Sequence, residues 1–167
     1  MDMTKETPRT INIFSNVEHL KIDTHAIQKL FWLLDDFIYP APPGELSVAF
    51  LNEKDMRHTH EQFLQDDTLT DVITFPGAPL EAFGGEICVS PDYASQSCVI
   101  HQTSFSDELT LYLVHGYLHL HGLDDHTEED IRAMRKGEKE CMDFLKSKNL
   151  VPMFIYGLHF TKNISSL

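Results

Sequence analysis

The sequence predicts an α/β (α+β) fold, a small mixed four-stranded sheet with about five helices and a metal site at the end of a central helix. Two observations predict the fold: strand and helix periodicities follow one another in the order β-α-β-α-β-β-α-α-α, and the closing helical segments carry broad apolar faces. A third places the site. The twelve residues from His115 to His126 hold four of the chain's ten histidines.

Each element has a local reason. Thr10 to Phe14 alternates apolar and polar residues and reads as the first strand. His25 to Ile38 places Ile27, Leu30, Phe31, Leu34 and Phe37 on one helical stripe. Pro40 to Gly44 is a rigid loop, Leu46 to Leu51 a second strand, and Glu53 to Leu64 a helix with a moderate stripe. Asp71 to Phe75 is β-branched and is expected to stop at Pro76-Gly77; Gly85 to Ser90 is a fourth strand. Pro91-Asp92 opens a helix with proline in its first turn. Ser106 is expected to cap the next helix, with Asp107 and Glu108 in its opening turn. Thr127 caps the last, whose inner face is Ile131, Met134, Cys141, Phe144 and Leu145.

With 167 residues and 42% hydrophobic content, the chain is expected to be one domain, residues 1–167, with 150–167 packed on it as a C-terminal extension. Cys88, Cys98 and Cys141 are odd in number and widely spaced, which fits reduced thiols and no disulfide framework. The N-terminus has no apolar signal region and no apolar run is long enough for a bilayer, so a cytoplasmic protein with no membrane partner is expected. The net charge of −13 argues against nonspecific binding to polyanions and against DNA as a partner.

His115 and His119 lie four residues apart on an apolar helix. Four residues rotate a helix by about 400°, so both imidazoles leave the same face one turn apart and can share one metal ion. Leu111, Leu113, Val114, Leu118 and Leu120 make that helix apolar nearly all round, so its polar exceptions face something that needs them. Gly122 stops the helix, and either Asp125 or His126 can return to supply a third ligand. Three protein ligands and an open position describe a catalytic zinc site, where a bound water is acidified towards neutrality. His121 sits about 200° round the helix from His119 and is read as a non-ligand. The peptidase motif HExxH would need its general base where Gly116 stands, so peptidase activity is not expected.

These residues resemble the YbeY family, the bacterial zinc-dependent endoribonucleases and ribosomal RNA maturation factors. Its motif H-G-x-L-H-L-x-G-Y-D-H is matched in register by His115, Gly116, Leu118, His119, Leu120, Gly122 and Asp124, with Leu123 for the tyrosine. Its T-D-V-L-S-F-P strand resembles Thr70 to Pro76, and its G-D-I strand resembles Gly85-Glu86-Ile87. Two departures stand out. The family's third histidine aligns with Asp125, and His126 comes one residue late. An arginine expected six residues before Thr70 is Leu64, and Arg57 does not align.

The resemblance implies one Zn2+ per chain, another divalent metal being possible, on His115, His119 and Asp125 with His126 as the alternative third ligand. Asp71 is a candidate to orient water or a ligand imidazole, or else a turn carboxylate, and His126 a proton-transfer group where Asp125 binds the ion. The implied activity is hydrolysis of single-stranded RNA in ribosomal RNA maturation and ribosome quality control, with the ribosome or small-subunit ribosomal proteins as partners. Two rivals stand beside it: a metal-stabilised ribosome-assembly factor that does not cut, and a hydrolase of small phosphoesters or amides. Arg57, His58 and His60 form a small basic patch read as a solvated helix face.

Overall fold

A computed structural model of the protein describes residues 8–38 and 44–157. Strand β1 (Ile11–Ser15) is followed by a two-residue strand β2 (Leu20–Lys21), helix α1 (Thr24–Phe37), strand β3 (Glu45–Phe50) and helix α2 (Glu53–Leu64). Then come β4 (Val72–Ala78), a short 3-10 turn at Pro79–Glu81, β5 (Phe83–Val89), α3 (Pro91–His101), α4 (Phe105–Leu120), α5 (Glu128–Ser147) and β6 (Ile155–Tyr156). The four-stranded sheet has the order β1-β3-β5-β4. β1, β3 and β5 run parallel through helical crossovers, and β4 pairs antiparallel to β5 at the edge. This is the mixed sheet with five helices that the periodicities predict.

Side-chain alternation along β3 divides the interior. Leu46, Val48 and Phe50 enter the main core, while Ala49 joins Met56, Ile73 and Cys88 in a smaller cluster under α2. The main core takes Ile27, Leu30, Phe31 and Leu34 from α1, Leu109, Leu113, Tyr117 and Leu118 from α4, and Met134, Cys141 and Leu145 from α5. Each large apolar side chain contributes about 1.5–3 kcal/mol by leaving water. Helix α4 lies against β4 and β5 on one side and against α3 and α5 on others. It is the central helix, and burial on so many sides explains why its sequence is apolar nearly all round.

Three local expectations change. Pro76-Gly77 does not end its strand: pairing with β5 continues to Ala78, because β4 is an edge strand where proline removes no ladder bond the sheet requires. The cap of α4 is Ser104, not Ser106; Ser104 is extended and its hydroxyl accepts from Asp107 N–H, so the helix starts at Phe105. Ser106 has another task, since its hydroxyl accepts from Phe154 N–H over 2.9 Å and ties the C-terminal segment to the first turn of α4. Ile131 is 42% exposed, one turn too early on α5 to reach the core that receives Met134. Leu150 and Val151 pack against the core, Phe154 is buried within it and β6 pairs with β2; residues 158–167 lie outside the described residues, as do 40–43 of the expected loop.

Candidate metal centre

Gly116 sets the position of α4 on the sheet. A Cβ there would lie 2.6 Å from Cγ2 of Ile87 and 3.2 Å from the methyls of Thr74 and Val72, so glycine allows the helix backbone to rest directly on β4 and β5. The neighbouring His115 and His119 leave the helix on one face, and their Nε2 atoms lie 2.9 Å apart with the rings nearly perpendicular. Nδ1 of His115 meets Oε1 of Glu138 at 2.7 Å, and Nδ1 of His119 meets the carbonyl of Leu123 at 3.0 Å. Carboxylate and carbonyl oxygens only accept, so each Nδ1 carries the proton. With Nδ1 engaged in this way, Nε2 is the atom each ring can offer to a metal ion. The two Nε2 atoms, 2.9 Å apart, can both face one cation.

The third group comes from the way α4 ends. Gly122 adopts φ +89°, in the left-handed region, with Leu123 N–H bonding to Leu118 O and Gly122 N–H to His119 O. This is a Schellman turn, and it reverses the chain over the last turn of the helix. The reversal brings Leu123 O onto His119 and Asp125 onto both histidines. Asp125 Oδ2 lies 3.6 Å from each Nε2. His115, His119 and Asp125 together can hold a metal ion, with all three ligand atoms within 4.8 Å of one another. The donor set fits zinc, which accepts imidazole and carboxylate alike.

Glu138 and Arg135 belong to the same cluster and were not singled out by sequence reasoning. Glu138 is buried on α5, and its second oxygen accepts from Arg135 over 2.8 Å. Burial pushes its carboxyl up, but the bonds from His115 and Arg135 and the guanidinium charge outweigh burial and hold it below the ordinary glutamate range. The signal was available: Glu138 falls at helical spacing among Met134, Cys141 and Leu145, an acid on an apolar stripe. A buried acid of that kind needs a partner.

The other predicted residues lie elsewhere. His126 is 82% exposed and meets Asp124 at 3.3 Å; it groups with Asp124 and Asp125 but not with the histidine pair. Asp71 accepts from Val72 N–H and the Thr70 hydroxyl, and its carbonyl accepts from Ser90 N–H, so its bonds fasten the start of β4. His121 turns back onto α4, donating to Tyr117 O and lying over the Tyr117 ring at 4.1 Å. On α2, Arg57 pairs with Glu53 and donates to Asp67 O, and His60 meets Thr68 O. Leu64 is exposed at that helix's end.

A profile of the family Endoribonuclease YbeY matches residues 12–146. The chain belongs to the YbeY family. An Endoribonuclease YbeY of Protochlamydia amoebophila is 37% identical over 111 residues, 64% of this chain and 73% of that protein. One from Agrobacterium fabrum is 33% identical over 113 residues, covering 64% and 67% respectively, and one from Chlamydia pneumoniae is 30% identical over 156 residues, covering 86% and 96%. The solution structure of TM1509 from Thermotoga maritima matches with a TM-score of 0.54 at 23% identity, over 84% of this chain and 95% of that one. At that identity the likeness speaks for the fold. Among the described residues no helix is long and apolar enough to cross a membrane.

Proposed function

We propose that this YbeY-family chain is a metal-dependent endoribonuclease that hydrolyses single-stranded RNA in ribosomal RNA maturation and ribosome quality control. In this reading it works as one domain in the cytoplasm beside the ribosome or its small-subunit proteins. The observation that carries it is the pair of Nε2 atoms 2.9 Å apart with Asp125 Oδ2 at 3.6 Å from both. His115, His119 and Asp125 would hold one Zn2+, and family membership supports RNA as substrate. When bound, such an ion supplies a Lewis acid that acidifies water and polarises a phosphoryl oxygen.

The chain's own residues do the rest. Glu138 and Leu123 O fix the two imidazole tautomers, so neither ring must reorient to offer its lone pair. His126, exposed beside Asp124, moves protons between the site and bulk water at its ring nitrogens. Asp71 is a positioning residue: it fastens the start of β4, whose Val72 and Thr74 seat Gly116 and thereby α4.

The test is zinc-reconstituted protein against single-stranded RNA, beside His119→Ala. Cleavage by the wild type and its loss in the variant is the expected result; equal residual cleavage in both would assign the activity to a contaminant. Leucine at position 64, where the family pattern has an arginine, favours a second reading, a metal-stabilised assembly factor that binds ribosomal particles without cutting. That reading predicts association with such particles that survives in a protein with no hydrolytic activity.

A further inference from the structure

The site has an electrostatic problem. Its third ligand is a carboxylate, Asp124 stands beside it, and the whole chain carries −13, yet the substrate read above is a polyanion. Neutralising a phosphate next to the ion requires a cation from the protein. Leu64 stands where the family pattern has an arginine, and Arg57 is occupied by Glu53 and Asp67 O on α2. On α5, Arg132 and Lys136 pair along the helix surface with Glu128 and Glu140. Arg135 is different. With His115, Asp125, Ile131 and Met134 it lines one cavity of about 170 Å3. At about 30 Å3 per water, that is room for a phosphodiester group.

Resting on the RNA reading, we propose that the Arg135 guanidinium binds a backbone phosphate of the substrate beside the ligand set. Its side chain is 68% exposed, so it can meet an incoming strand. Its position is nonetheless fixed: one amino group donates to Glu138 Oε2 at 2.8 Å, and the other oxygen of Glu138 holds His115. Glu138 is its one hydrogen-bond partner among the described residues and takes one of five donors, which leaves the fork able to grip a phosphate at a set distance from the ligand imidazole. Asp125 lines the same cavity, so the guanidinium stands beside a carboxylate that an incoming phosphate must pass. The specificity that follows is for a phosphodiester strand over a neutral substrate.

The experiment uses zinc-loaded wild type, Arg135→Gln and Arg135→Lys with a short single-stranded phosphorothioate oligoribonucleotide. Zinc per chain is read by elemental analysis, and oligonucleotide affinity by fluorescence anisotropy over a series of salt concentrations. Arg135→Gln is expected to keep its zinc and lose about tenfold in affinity, with the slope of log affinity against log salt smaller by about 0.7, the value for one contact to a single strand. Arg135→Lys keeps the slope and loses part of the affinity, because a point charge cannot reproduce the fork. Equal affinity and slope in wild type and Arg135→Gln would overturn the inference and leave the RNA reading standing. Loss of zinc from Arg135→Gln would also overturn it, making Arg135 a support for Glu138. Failure of the wild type to bind the oligonucleotide would sink the RNA reading and this inference together.

Discussion

Glu138 Oε1 accepts a hydrogen bond from His115 Nδ1 over 2.7 Å, joining α5 to α4 immediately behind the candidate ligand atoms. That bond fixes both the tautomer and the ring plane of His115. Removing such a partner from a ligating histidine typically costs 10–100-fold in metal affinity. Glu138→Ala is therefore expected to bind zinc about 10–100-fold more weakly, measured by competition with a chromophoric chelator. Unchanged affinity would show that the packing of α4 alone orients the ring.

The ligand set predicts which of two adjacent residues matters for metal content. Asp125 Oδ2 lies 3.6 Å from both Nε2 atoms, whereas His126 faces Asp124. Elemental analysis of purified protein is expected to find about one zinc per chain in the wild type and in His126→Ala, and much less in Asp125→Ala. The reverse pattern would make His126 the third ligand.

Gly116→Ala sets two effects against each other. Alanine gains about 1 kcal/mol of helix propensity over glycine. Its Cβ would meet the Ile87 Cγ2 methyl at 2.6 Å, and overpacking against stiff β-branched neighbours costs about 1–3 kcal/mol. Packing is expected to win, with a net loss of up to about 2 kcal/mol and weaker zinc binding as α4 shifts. Denaturant midpoints with and without zinc check this, and a stabilised variant would contradict it.

The cysteines report on the two cores. Burial, reinforced by nearby Glu86, pushes the Cys88 thiol up to about 12, and burial with the charge of Glu140 does the same for Cys141. Thiolate is the reactive form, so both are expected to resist alkylation at pH 8 in the folded protein and to react on unfolding. Mass spectrometry after timed iodoacetamide treatment reads this directly. Rapid labelling of Cys141 in the native state would place α5 away from the core.

The capping box of α5 gives a pH signature. Hydrogen bonds from Thr127 hold the Asp130 carboxyl below its ordinary value of 3.8. A depressed carboxylate binds fewer protons folded than unfolded, so its contribution is fully present above the ordinary value and disappears as pH falls through the folded one. The stability gap between wild type and Asp130→Asn is expected at pH 7 and to shrink as the medium is acidified below the ordinary carboxyl value of 3.8. Thr127→Ala, which deletes the cap itself, should cost about 1 kcal/mol. A gap that widens on acidification would contradict this assignment.

Much of this was legible in the chain. The i, i+4 spacing of His115 and His119 sets their shared face through helix geometry alone, and the apolar surroundings of that pair announced a central helix. Glycine at 122 announced the turn, but left open whether Asp125 or His126 returns through it. Other features depend on tertiary partners that local sequence does not name. Ser106 reads as the cap because nothing local shows that its hydroxyl accepts from Phe154, while Ser104 caps the helix instead. The pairing of Leu20–Lys21 with Ile155–Tyr156 spans nearly the whole chain through two-residue strands, too short for any periodicity. Pro76 reads as a stop because the sequence does not tell an edge strand from a central one.

The seat of α4 on the sheet also bears on which reactions this scaffold can reach by mutation. Zinc peptidases carry their proton-abstracting glutamate at the residue following the first histidine. Here that residue is Gly116, and the volume a longer side chain would occupy is filled by Ile87, Thr74 and Val72. A single codon change to glutamate would force the helix off its sheet before it supplied a base. Proteolytic chemistry is thus fenced off by packing rather than by ligand identity, and drift at this position leads toward unfolding instead of a new activity.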